Sequence, residues 1–317
     1  MRAPDPGATP GAPATAGPAA PPARSPVDTS RPFGAHLRMS WWKPLVLVLT
    51  LPVVLVVLQV LALRLVGVVE GSDDPLNPEF TPLEALAVNL AIGATGLVTV
   101  LLLVWMTRVP WRALLSSRRA FDPRRLAHYS IGAALLVGAG MGVLGVVAPA
   151  STGWTTFAVS GTTVALLAVT LLTTPIQAVG EELAYRSVVL PAAASWVRPV
   201  RPALAVGLVV SAVVFTVLHG STAPWLAGYF TVVALSTGLM AILSSGMEAP
   251  IAFHVVNNVL AGVVNNVLSG GGTSTIDRAT DTGDASLLIL VAVNIGMVAL
   301  VVVYERRVRR GSGTRSA

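Results

Sequence analysis

The chain has 317 residues, 54% of them hydrophobic and only 11% charged. A soluble domain carries about a quarter charged residues, so the composition points to a polytopic membrane protein. The formal net charge is +6, nearly all of the excess is arginine, and arginine at membrane edges sets topology; the basic balance is no argument for nucleic acid, and none is expected as a partner.

Residues 1–40 are rich in Pro, Ala, Gly and Ser and are expected as a disordered tail that cannot bury enough apolar surface to fold. The first apolar run starts too far from Met1, and is too long, for a standard signal peptide. Met39, just before SWWKPLVLVL, is an alternative start of translation. Segments near 44–68, 84–107, 129–149, 157–186, 202–220, 225–245, 250–268 and 285–304 follow. Each is apolar and about 20 residues or longer, enough to span a bilayer. The pattern predicts an all-α polytopic membrane protein with about eight transmembrane helices over 41–305, since β-barrel spans are shorter and alternate strictly. Pro175 and Pro191 are expected to kink or end the fourth segment. The seventh is short and polar. Residues 306–317 are a basic tail, and the absence of cysteine excludes disulfides and thiolate chemistry.

The loops set the orientation. EGSDDPLNPEF is acidic, whereas RVPWRALLSSRRAFDPRR carries Arg108, Arg112, Arg118, Arg119, Arg124 and Arg125. The third loop is uncharged, and the fourth has Arg198 and Arg201. The loop from Ile276 to Asp284 is mostly acidic, and the C-terminal tail is basic. This alternation predicts cytoplasmic termini and an even number of spans in the cell membrane. Trp111 to Phe121 reads as a short interfacial helix. No internal repeat is visible, which weakens a transporter reading.

Ionisable side chains inside a bilayer cost a few kcal/mol or more and usually face a cavity. Glu181 and Glu182 are the sole acidic residues between His128 and Met247. Glu182 and Arg186 are one helical turn apart and can pair. Glu181 is rotated from Glu182 by about 100° and can face elsewhere. Phe215 and His219, and then His254 and Asn258, repeat the four-residue spacing. A carboxylate, two imidazoles and a carboxamide suffice to activate water and stabilise an oxyanion. Glu181, His219 and His254 also resemble the two-histidine, one-carboxylate set of a catalytic zinc site, so a divalent metal is an open alternative. Each cluster also has a plainer reading: a structural ion pair, a packed aromatic ring, an interfacial histidine, or interhelical polar glue. Gln177 lies one turn before Glu181 and is expected to line the same cavity. The glycines of GAGMG follow no strand and are read as helix contacts. Depth poses a difficulty. From a turn near Val197 to Arg201, Glu181 and His219 lie about 24 and 29 Å along their helices, but His254 follows closely on the turn at Gly246.

EExxxR, FxxxH and HxxxN, in that order on separate apolar helices, resemble the motifs of the CPBP intramembrane proteases, the CAAX prenyl endopeptidase type II and bacteriocin-processing group. Here they read Glu181-Glu182-Leu183-Ala184-Tyr185-Arg186, Phe215-Thr216-Val217-Leu218-His219 and His254-Val255-Val256-Asn257-Asn258. The resemblance covers about residues 160–265; Tyr185 and Ser187 stand where many relatives have Phe and Gly. It implies an intramembrane endopeptidase with an active-site cavity, acting on a membrane-associated protein or peptide. By analogy Glu181 and His219 activate the water, His254 and Asn258 stabilise the oxyanion, and Glu182, Arg186 and Phe215 support the site. The motif leaves open whether zinc takes part. The competing readings are a proton-coupled transporter and a catalytically silent immunity or scaffold protein.

Overall fold

The computed structural model describes residues 25–71, 81–272 and 283–313. The expected helices form: α1 (Trp42–Glu70), α2 (Pro82–Thr107), a short α3 (Trp111–Leu115), α4 (Pro123–Val147) and α5 (Gly161–Glu182). A π-helical turn, Leu183–Val189, joins α5 to a short α6 (Leu190–Ala194). Then come α7 (Val200–Leu218), α8 (Pro224–Ser244), α9 (Glu248–Val267) and α10 (Leu287–Gly313). The described residues contain no β-strand, and the protein is an all-α polytopic membrane protein.

Local chemistry sets the helix starts. Thr81 and Ser160 each accept the N3 backbone N–H and are capped in return, and Asp122 accepts from the N–H of Arg124. Among the described residues seven helices are long and apolar enough to cross a membrane, counting Gly161–Ala194 as one. The expected seventh span, near 250–268, forms as α9 but is more polar than the other seven. It carries His254, Asn257, Asn258, Asn265 and Asn266 and packs against α4, α5 and α8. Helices, not lipid, satisfy much of its polar surface.

Several boundaries differ from expectation. Pro175 does not end α5, which runs on to Glu182. Pro191 lacks an N–H, and its ring would strike the carbonyl four residues back. The helix answers by widening into the π turn just before it, where Leu190 N–H bonds Tyr185 O. α10 runs to Gly313, past the expected end at 304, so Arg306 to Arg310 ride on the helix.

Residues 25–40 correct the expectation of an unfolded tail to residue 40; residues 1–24 lie outside the described residues. Val27 pairs with Leu37, and Phe33, Ala35, His36 and Leu37 are buried. His36 Nε2–H donates to Ala113 O at 3.0 Å, and Arg118 donates to Ser30 O at 2.9 Å. The short FGAHL run thus closes one end of the bundle. The basic loops gather at the same end: Arg31 bonds Arg198 O, and Trp196 Nε1–H bonds Trp41 O.

The α8–α9 turn is enclosed within this end. Met247 N–H bonds Leu115 O at 2.9 Å, and Ser116 Oγ donates to Ser245 O at 3.1 Å. Glu248, fully buried, takes both guanidinium arms of Arg119 and the N–H of Asp122. Because the turn sits under α3 and residues 116–122, His254 reaches the level of Glu182 after fewer than two helical turns of α9. That resolves the depth difficulty. α9 then climbs antiparallel to α5 as a polar seam: His254 meets Glu182, Asn258 meets Gln177, and Asn266 meets Thr170. On the other side of α5, α2 comes close enough that a Cβ on Gly96 would sit 2.2 Å from Gly180 O.

Candidate active site

The site is assembled where α5 gives way to the π turn, facing the C-terminal end of α7 and the first turns of α9. His254 is its hub. Its Nδ1 lies 2.7 Å from Glu182 Oε1 and its Nε2 lies 3.2 Å from Glu181 Oε2. The adjacent carboxylates therefore clasp one imidazole from two directions, as the rotation of about 100° between neighbouring residues allows.

Glu182 also faces Arg186, with Nε 3.4 Å from Oε2, and both side chains are fully buried. This is the anticipated one-turn pair. It is long, however, and Arg186 makes its remaining polar contact to Ala234 O at 3.4 Å. Its guanidinium lies 4.6 Å over the Phe215 ring, a cation–π contact that helps hold the charge in a poorly solvated place. Phe215 is the central ring: His219 lies 4.1 Å away, Tyr185 5.0 Å and His254 6.3 Å.

His219 caps the end of α7. Its Nδ1–H donates to Phe215 O at 2.7 Å, because a carbonyl can only accept. In the neutral tautomer that carries this bond, Nε2 is the acceptor nitrogen. Phe230 holds the other side of the ring at 4.3 Å. Glu181 and His219 line one cavity of about 50 Å³, room for a few waters. Its walls include Leu51, Leu55 and Gln59 of α1 and Ile92 and Thr95 of α2.

Glu181, Glu182, Arg186, Phe215, His219 and His254 thus form one contiguous set. Asn258 joins less directly. It sits one turn beyond His254, donating to Gln177 Oε1 at 3.3 Å and accepting from Asn257 at 3.2 Å. Gln177, expected to line the cavity of Glu181, is not among its lining residues; it bonds Asn258 instead. Sequence reasoning overlooked the π turn and the α1 and α2 wall of the cavity. The one available signal was Gln59, a carboxamide in the middle of an apolar helix.

A metal fits this arrangement poorly. Both ring nitrogens of His254 face carboxylates, which leaves no lone pair directed at an ion. Among the described residues no three His, Cys, Asp or Glu side chains are arranged so that they could hold one.

No curated protein and no solved structure matches the chain. Residues 162–260 match the family model of the type II CAAX prenyl endopeptidases, Rce1-like. That segment contains all three motifs and, apart from the wall supplied by α1 and α2, the whole clasped site. Over that segment the chain is similar to the Rce1-like type II CAAX prenyl endopeptidases.

Proposed function

We propose that this protein is an intramembrane endopeptidase that hydrolyses a peptide bond of a membrane-associated protein or peptide, with Glu181 as the general base. One observation carries the reading: His254 is clasped between Glu181 and Glu182 while Glu181 also faces a cavity shared with His219.

The proton path follows from these positions. A water in the cavity gives one proton to the Glu181 carboxylate while His219 Nε2 accepts its other O–H and orients it. The water oxygen attacks the scissile carbonyl carbon, and negative charge moves onto the carbonyl oxygen. Protonation has by then neutralised Glu181, so the His254 N–H that faced it is released to the new oxyanion. An amide N–H of Asn258 is the second donor. Collapse of the intermediate breaks the C–N bond. Glu181 passes its proton to the leaving nitrogen and returns to its starting state. Glu182 and Arg186 do not touch the reacting atoms in this scheme. Glu182 orients the His254 ring through Nδ1, and Arg186 offsets the surplus negative charge.

The orientation belongs to the same reading. The N-terminal segment, the arginine-rich loops and the start of α4 lie at one end, and α10 returns there to pair Glu305 with Arg125. We place that end in the cytoplasm, as the arginine distribution favours. A reporter fused after Ala317 should be active in the cytoplasm only; activity only on the outer face would overturn this orientation.

The experiment for the function reads protein termini in membranes of a deletion strain carrying either the wild type or Glu181→Ala. New termini that require Glu181 are expected. Identical terminus sets in the two strains would refute the endopeptidase reading.

A further inference from the structure

We infer that Gln59 of α1 binds the substrate, its carboxamide hydrogen-bonding the peptide backbone presented to Glu181 and His219. The inference rests on the endopeptidase reading and adds a binding residue that lies outside the family-matched segment.

Leu51, Leu55 and Gln59 recur every four residues and make one face of α1. That face is a wall of the cavity that holds Glu181 and His219. Gln59 is the lone carboxamide in a 29-residue helix that otherwise presents mostly apolar side chains. A polar amide within an apolar segment is costly unless it is satisfied. Gln59 makes no hydrogen bond to any described residue, and its side chain is half-buried at the cavity wall. Thr95, on the facing wall, is already committed: its hydroxyl donates to Ala91 O at 2.8 Å.

A substrate supplies the missing partner. A peptide must be extended to expose its scissile bond, so its N–H and C=O groups lose their helical partners. In an apolar setting each unsatisfied group costs several kcal/mol. A glutamine carboxamide offers both an acceptor and donors, the complement of one peptide unit. Leu51 and Leu55, on the same face, provide apolar contact for the flanking side chains.

The test uses the full-length protein in its own membranes, with the Glu181-dependent protein termini as the probe. Gln59→Leu is compatible with an apolar helix and keeps the bulk of the side chain. It should insert normally and form those termini about tenfold more slowly, the scale of one lost hydrogen bond. A second variant keeps the idea falsifiable if Gln59→Leu folds poorly. The chain has no cysteine, so Gln59→Cys gives a single thiol. Attaching a bulky methanethiosulfonate reagent there should abolish terminus formation. The same label on Val60→Cys, whose native side chain is exposed on the outside of α1, should not. Wild-type rates in Gln59→Leu, or full cleavage by the labelled Gln59→Cys protein, would overturn the role of Gln59 alone. A wild type that makes no Glu181-dependent termini would overturn the endopeptidase reading and this inference together.

Discussion

Two of the buried arginine–carboxylate clusters in this bundle, Arg125–Glu305 and Arg186–Glu182, are built differently. In the first, Arg125 of α4 meets both oxygens of Glu305 at 2.9 and 3.0 Å, and Tyr129 donates to the same carboxylate at 2.7 Å. One cation faces one anion, and Tyr304 lies 5.5 Å from the guanidinium. In the second, Arg186 meets Glu182 through a single contact of 3.4 Å, and a second carboxylate, Glu181, stands beside a cavity. Both clusters tie helices together, yet only the second has more carboxylate than arginine and an opening for water. A buried ion pair by itself is weak evidence of function. The surplus carboxylate, held by an imidazole at the edge of a cavity, is the feature on which the proposed chemistry rests.

The largest expected effect falls on the surplus group. Glu181→Gln keeps size and hydrogen-bonding capacity but removes basicity. Terminus formation should drop by a factor of about 10² or more, with the melting temperature in detergent little changed. If cleavage instead persists and only stability falls, the two clusters are of one kind and Glu181 is structural.

The scaffold cluster should respond in the opposite way. Glu305→Ala strands Arg125 in a buried position, at a cost of about 3–5 kcal/mol. Protein yield and melting temperature should fall, while cleavage per folded molecule stays within about twofold, below the scale of losing a catalytic group. Replacing both partners, Arg125→Met with Glu305→Leu, should restore much of the loss, because no unpaired charge remains. A variant that folds well but cannot cleave would assign this cluster a role in the site.

Much of this was legible beforehand. The helices appear where the apolar runs lie, because a bilayer imposes length and internal hydrogen bonding on every span. The three motifs named Glu181, His219 and His254, since ionisable groups in apolar runs stand out. What periodicity cannot give is which partner a side chain chooses. The four-residue spacing suggested Glu182–Arg186 as the principal pair, yet His254, 72 positions away, makes the shorter contact with Glu182. Nor did composition separate residues 25–40 from the Pro/Ala-rich stretch before them. Phe33, Ala35 and Leu37 are too few to form a pattern, and only tertiary packing gives them a place.

Helix spacing should show a smaller effect. Gly96→Ala would set a methyl 2.2 Å from Gly180 O, beside Glu181, so α2 and α5 must part. Overpacking of this kind costs about 1–3 kcal/mol, and cleavage should fall with it because the carboxylate moves. Gly142→Ala, whose added methyl meets nothing within 4 Å, is the matched control and should be neutral. Equal stability for the two variants would show that the close approach of α2 and α5 does not position the site.

The smallest effect concerns a buried group with no counter-charge at all. His36 lies outside the spans, fully buried, stacked on Phe33 at 5.0 Å and bonded to a backbone carbonyl through Nε2–H. Its Nδ1 has no hydrogen-bond partner among the described residues, so a second proton would have nowhere to point. Burial, only partly offset by the Ala113 bond, pushes its pKa down to about 4 from 6.5. The unfolded segment therefore binds more protons than the folded one between those two values. Stability of the 25–40 closure should be flat above about pH 6.5, fall as pH drops through that window, and level off below about pH 4. At about pH 5.5 the loss is about 1.4 kcal/mol, or roughly tenfold in the opening equilibrium. Hydrogen exchange of residues 26–38, corrected for its intrinsic pH dependence, reads this directly. His36→Gln, which stays neutral, should remove the pH dependence. If protection in the wild type does not change between about pH 7 and 5, the segment accommodates the charge. The rule drawn from the two arginine clusters, that buried charge here requires a partner, would then fail at its simplest case.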